Sequence, residues 1–282
     1  MTAFSALKTE VMQRVNDPGG NTITTAIAGR AINNALEDWT NTVEPLWRPY
    51  GWFVTAKQAR YALPSDWVKP KTLMWYQNGA DKEIGYLSPK EFQRKGYMAY
   101  RAGTSNPEAF TIIDGDLWLG PAPGTTSNST TLNGAISSTS AATIAVTDGT
   151  KFHSNAGWAL VDTEQIMHQG ISTNDLTLCK RGQGGTTAAT HLTGATIYRL
   201  DLVATYFYVP VALSASTDAP AIEQRWQKAL LYKAISECYQ LLGRDEEATQ
   251  QMQIYDQKKM EAKREVRRLQ RETYMQVYSP YE

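Results

Sequence analysis

Three histidines, His153, His168 and His191, share one segment with Asp162 and Glu164, so nitrogen and oxygen donors of the kind a metal ion takes are present together. Their spacing matches no zinc pattern, and histidines at strand ends serve as surface or hydrogen-bonded groups. Asp114 and Asp116 form a carboxylate pair around Gly115, but Asp-Gly is also what a two-residue hairpin turn requires, because both central residues need positive φ. The stretch Arg181-Gly182-Gln183-Gly184-Gly185-Thr186-Thr187 has the glycine content of a phosphate-binding loop. It lacks the Gly-Lys-Ser/Thr ending and does not run from a strand into a helix. No Gly-x-Ser-x-Gly occurs, and Cys179 and Cys238 have no paired spacing, which leaves no hydrolase nucleophile, disulfide framework or zinc site in view. The expectation is a non-enzyme with no catalytic residue, no cofactor and no metal.

Charge narrows the classes further. Lysine plus arginine equals aspartate plus glutamate at 28 each, so the whole chain has no field that would hold it on nucleic acid, and any DNA contact should be transient and non-specific. Near the C-terminus, Lys258, Lys259, Lys263, Arg264, Arg267, Arg268 and Arg271 outnumber Asp256, Glu261 and Glu265. That run reads as a solvated helix face partly balanced by pairs such as Glu265 and Arg268, as a dock for an acidic protein, or as a nucleic-acid contact. No apolar run approaches the ~20 residues of a membrane helix, and the opening stretch from Thr2 to Val15 is amphipathic rather than a secretion signal. Fifteen tyrosines and eight tryptophans suit either interfaces or a core.

The elements that would position these residues follow from periodicity and composition. Helical spacing of Ile23, Ile27, Ala31, Ala35 and Trp39 predicts a helix from about Thr24 to Asn41, separated by Asp17-Pro18-Gly19-Gly20 from a first helix over Phe4 to Val15. After Pro45, Pro49 and Gly51 come short β-like runs at Gly51–Thr55, Arg60–Leu63, Lys71–Gln77 and Lys82–Tyr86, with Asn78-Gly79 as a turn, and a second hairpin around Asp114-Gly115. From Thr125 to Arg199, 40 of 75 residues are Thr, Ser, Gly or Ala and none is proline, which marks a separate strand-rich module of the sandwich or barrel kind. Because Leu200–Val209 resumes the earlier aromatic strand character, 125–199 reads as an insertion into a body made of 1–124 and 200–282. Ser216-Thr217-Asp218-Ala219-Pro220 predicts the start of a helix ending at Gly243. A further helix carries a sparse seam, Ala248, Met252, Tyr255, Ala262, Val266 and Leu269, broken by Lys259, and a seam that narrow needs a neighbour. The fold class expected is α+β: a helical body of two N-terminal and two long C-terminal helices with a small antiparallel sheet, plus the inserted all-β domain.

Tyr61-Ala62-Leu63-Pro64-Ser65-Asp66-Trp67, the strand at Thr72–Tyr76, Ser88-Pro89 leading into Glu91 and Phe92, then Ile112-Ile113-Asp114-Gly115-Asp116-Leu117, a Pro-x-Pro stop and two C-terminal helices are similar, in that order, to the adaptor or head-to-tail connector proteins of tailed bacteriophages. The resemblance covers about 1–124 and 200–282. The insert, through Ala142–Val146, Trp158–Ile166 and Cys179–His191, resembles a β-module of phage virion and baseplate proteins. The resemblance implies a structural virion protein of the neck, made in the host cytoplasm, that joins the portal protein to a tail nozzle or tube protein and assembles with itself in a ring of twelve around the DNA conduit. It implies that Arg264, Arg267, Arg268, Arg271, Tyr274, Tyr278 and Tyr281 form the portal interface. The competing expectation is a tail-associated receptor- or carbohydrate-binding protein, motivated by Trp158 and the polar strands of the insert.

Overall fold

The computed structural model describes residues 2–43, 46–77, 80–98 and 106–277. Its helices are α1 (Phe4–Arg14), α2 (Thr25–Thr42), α3 (Pro89–Arg94), α4 (Gln224–Leu241) and α5 (Asp245–Val277). Asp17 shapes the turn between the first two: its carboxylate accepts from the N–H groups of Asn21 (3.0 Å), Thr22 (2.8 Å) and Ile23 (2.7 Å), and these backbone bonds hold its carboxyl below the usual range. Thr24 then caps α2 by accepting from the Ile27 N–H at 3.3 Å.

The start of α4 differs from the expectation. Asp218 bonds backwards to the N–H groups of Ser214 and Ala215, both at 2.8 Å, and closes a loop. A carboxylate so engaged does not cap a following helix, and α4 begins six residues later at Gln224, without a side-chain cap. Its end is as expected. Gly243 has φ +68°, its N–H donates to the Gln240 carbonyl, and Arg244 N–H reaches back to Tyr239, the left-handed glycine stop that satisfies the last carbonyls of a helix.

The chain divides into two compact units, Met1–Leu46 with Tyr208–Glu282, and Trp47–Phe207. In the first, α2 and α4 bury Ile32, Leu36, Trp39, Leu230, Leu231 and Ile235 against Leu7 and Val11 of α1. Each such side chain contributes ~1.5–3 kcal/mol by leaving water.

The second unit is built of short strands: β1 (Trp47–Trp52), β2 (Arg60–Ala62), β3 (Trp67–Gln77), β4 (Ala80–Glu83), β5 (Gly85–Tyr86), β6 (Ala109–Ile113), β7 (Asp116–Gly120), β8 (Ser129–Thr131), β9 (Ile144–Ala145), β10 (Gly157–Val161), β11 (Glu164–His168), β12 (Gly170–Ser172), β13 (Asp175–Thr177), β14 (Lys180–Gln183), β15 (Thr196–Leu200) and β16 (Leu202–Tyr208). Two four-stranded sheets, β1-β16-β3-β4 and β2-β7-β6-β5, stand where one small antiparallel sheet was expected, and β5 runs parallel to β6. Within 125–199 the strands make a five-stranded sheet, β14-β11-β10-β15-β8, and a three-stranded one, β12-β13-β9, with no closed barrel among the described residues. Strand β1 starts earlier than the run expected at Gly51–Thr55 and contains Pro49; it lies at a sheet edge and pairs with β16, so a residue without an N–H is tolerated. Asp114 (φ +52°) and Gly115 (φ +79°) make the two-residue turn between β6 and β7, and Asp116 is bonded by Arg60 at 2.6 Å. The expected Asn78-Gly79 turn lies outside the described residues, although β3 and β4 pair on either side of it.

Candidate functional site

The seam of α5 finds its neighbours within the chain over most of its length. Ala248, Tyr255 and Ala262 are buried with α4 and α2, and Met252 packs against them. The Tyr255 ring lies 6.0 Å from Trp39, and its hydroxyl donates to Asp38 Oδ2 at 2.6 Å. Lys259, which looked like a break in the seam, belongs to it: its ammonium donates to the same oxygen at 3.1 Å, with Lys233 of α4 at 3.6 Å. Burial would raise the Asp38 carboxyl, but Tyr255 and the two lysines outweigh it and hold it low; burial and the neighbouring Asp38 in turn push the Tyr255 phenol up. One carboxylate therefore ties α2, α4 and α5 together. Its partners lie some two hundred residues away in sequence, which is why spacing along the chain does not reveal it.

The charge run divides accordingly. Lys258 pairs with Glu261 at 2.9 Å on the same helix, and Glu265 is bound by Arg225 in the first turn of α4. Arg225 marks where α4 begins, so the residues of α5 beyond Glu265, Val266 to Val277, run about 18 Å past that end at 1.5 Å per residue. Arg264 is exposed at the root of this overhang. Arg267, Arg268, Arg271 and Tyr274 follow along it, while Tyr278 and Tyr281 lie outside the described residues.

Within 125–199, three of the five residues weighed as metal donors, Asp162, Glu164 and His191, join a hydrogen-bonded network with Arg181 instead. Glu164, with no exposed surface, accepts from Arg181 Nε (2.7 Å) and Nη2 (2.6 Å), from the N–H groups of Gly182 (2.8 Å) and Ala189 (3.0 Å), and lies 2.8 Å from His191 Nε2. His191 Nδ1 is 2.7 Å from Asp162. Burial works to raise the Glu164 carboxyl, yet these bonds together hold it down to about 2. The glycine-rich stretch does cradle an anion, and that anion is the protein's own carboxylate. Gly182, Gly184 and Gly185 have φ of +59°, +65° and +80°, and a Cβ on Gly185 would collide with the Arg48 guanidinium.

His168 stands apart from this network. It is fully buried, neither ring nitrogen makes a well-formed hydrogen bond, and burial pushes its pKa down to about 4. His153 Nε2 faces Asp201 at 3.3 Å. Among the described residues no three His, Cys, Asp or Glu side chains are grouped to hold a metal ion. Cys179 and Cys238 are free thiols, both pushed up to about 11 by burial. Trp158, which motivated the carbohydrate expectation, is buried with Leu200 and Val203, with 8% of its surface exposed. Strand β11 is also bonded to β1: the Gln165 side-chain amide both accepts from the Gly51 N–H and donates to the Gly51 carbonyl, each at 2.9 Å.

No helix among the described residues is long and apolar enough to cross a membrane. The model of the SU10 adaptor protein family matches residues 2–280, nearly the whole chain, and the protein belongs to that family, as the resemblance of its helix-sheet-helix order implied. No curated protein matches it.

Proposed function

We propose that this SU10-family adaptor is a structural subunit of the virion neck that joins the portal to the tail nozzle or tube, in a ring of twelve copies around the DNA conduit. The observation that carries the reading is the overhang of α5. The docked part of that helix is covered by α2 and α4, so the stretch that runs on past the start of α4, with Arg264 at its root, Arg267, Arg268 and Arg271 along it and the aromatic residues Tyr274, Tyr278 and Tyr281, is the part suited to an acidic partner. Equal numbers of acidic and basic residues favour a conduit that does not retain DNA by its phosphates. The role is one of assembly rather than catalysis.

Deleting residues 274–282 tests this directly. The truncated chain is expected to keep its helical circular dichroism and its unfolding midpoint while no longer co-sedimenting with purified portal protein. Unchanged co-sedimentation overturns the assignment of these residues to the portal.

A further inference from the structure

The strand-rich unit contains a cavity that an assembly role does not use. It has a volume of about 700 Å³, within the ~300–1,000 Å³ of small-molecule sites, and Asn128, Thr150, His153, Asn155, Thr173 and Arg199 stand on its walls. Its base is rigid. Arg199, 9% exposed, is held by Asp201 through Nε–Oδ1 at 2.6 Å and Nη2–Oδ2 at 2.9 Å, and donates to the Lys151 carbonyl at 3.2 Å. His153 braces the same carboxylate. Burial would raise the Asp201 carboxyl, but the hydrogen bonds from His153 and Arg199 outweigh it and keep it ionised, so the guanidinium is neutralised inside the protein.

That neutralisation decides what the cavity can hold. An anion would meet no uncompensated cation, since Asp81 is the other formal charge on the lining. A metal ion would find that one carboxylate and no cluster. An apolar molecule would cover the amides of Asn128 and Asn155 and the hydroxyl of Thr173 without offering them a partner, at a cost of ~1–3 kcal/mol for each one buried. The remaining polar wall groups are asparagine amides, threonine and serine hydroxyls and an imidazole, each a type able both to donate and to accept, and Phe152, Ala156 and Ile171 stand between them. Alcohol hydroxyls have the same dual character.

We infer that this cavity is a binding site for a neutral sugar, read by Asn128, Thr150, Asn155 and Thr173 above the fixed Arg199–Asp201 base. The inference is independent of the portal assignment, and it moves carbohydrate recognition from Trp158 to the opposite pole of chemistry, a polar cup rather than an aromatic plate.

Saturation-transfer NMR on the full chain tests it, with glucose, galactose, N-acetylglucosamine, maltose and cellobiose each supplied at about 10 mM, since single sugar units bind with dissociation constants on the order of 1 mM when few contacts are made. At least one sugar is expected to give a saturable signal. Asn155→Trp, which fills the mouth from an exposed loop, and Asn128→Ala should each weaken it by about tenfold or more, with the melting temperature of the protein as the check on folding. Absence of signal from every sugar, a signal that survives Asn155→Trp, or displacement of the bound sugar by sodium sulfate, which would mark an anion site, each overturns the inference.

Discussion

Where the helical unit packs Trp39, Leu230, Leu231 and Ile235 together, the segment 125–199 buries Glu164, Arg181 and His191, with side chains 1%, 4% and 2% exposed, beside an apolar cluster of its own that holds Leu132, Val146, Val161, Ile166 and Ile197. The difference follows from how each region satisfies its backbone. Helices bond their own N–H and C=O groups, so their shared interior can be hydrocarbon, with a carboxylate such as Asp38 admitted only where a tyrosine and lysines meet it. Short strands joined by glycine-rich turns leave N–H groups pointing inward. Those of Gly182 and Ala189 are met by Glu164, and the carboxylate in turn needs Arg181 and His191. A charge in the core is there because the backbone around it is irregular.

Glu164→Gln should break this contrast most severely. It leaves Arg181 buried without its counter-charge and is expected to cost ~3–5 kcal/mol in urea unfolding, with hydrogen exchange rising over 157–191 and unchanged in α2 and α4. A loss under about 1 kcal/mol would mean that the network is ornamental to the fold.

Acid is the next lever, and it acts on the same unit through His168. The folded pKa of about 4 lies below the ordinary 6.5, so the unfolded chain binds the proton first; this residue's contribution is present above pH 6.5 and is lost as pH falls toward 4. The loss is on the order of 3 kcal/mol. Exchange of the Gly157–His168 hairpin, followed from pH 7 down, should accelerate over that window in the wild type and stay flat in His168→Leu. Equal acceleration in both would remove His168 from the account.

The smallest change belongs to the helical unit. Tyr255→Phe removes one bond to Asp38 while Lys259 and Lys233 remain, and an unfolding cost of ~1 kcal/mol is expected, against the larger loss for Glu164→Gln. A cost comparable to that of Glu164→Gln would erase the distinction between the two interiors.

What the chain discloses before folding follows the same division. The helices of the body were legible because burial repeats every three or four residues, and the Asp114-Gly115 turn and the Gly243 stop because only certain residues accept positive φ. The start of α4 was not, since Asp218 competes for two turns at once and spacing cannot say which wins. The early start of β1, through Pro49, was not legible because a sequence does not reveal which strand lies at an edge. The Glu164 network and the Asp38 junction depend on partners brought together by the fold alone, and the sugar cup likewise gathers Asn128, Asn155 and Arg199 from separate loops and strands.

The overhang of α5 has a kinetic meaning as well. Starting a helix fixes several residues before the first hydrogen bond forms, which is the slow and unfavourable step for a free peptide. Here the stretch from Asp245 to Glu265, clamped by α2 and α4, is a permanent nucleus, and every turn beyond it forms by elongation, on the order of a nanosecond per residue. A partner docking on the end of this helix would thus meet turns that form by elongation and would not itself have to supply the nucleus.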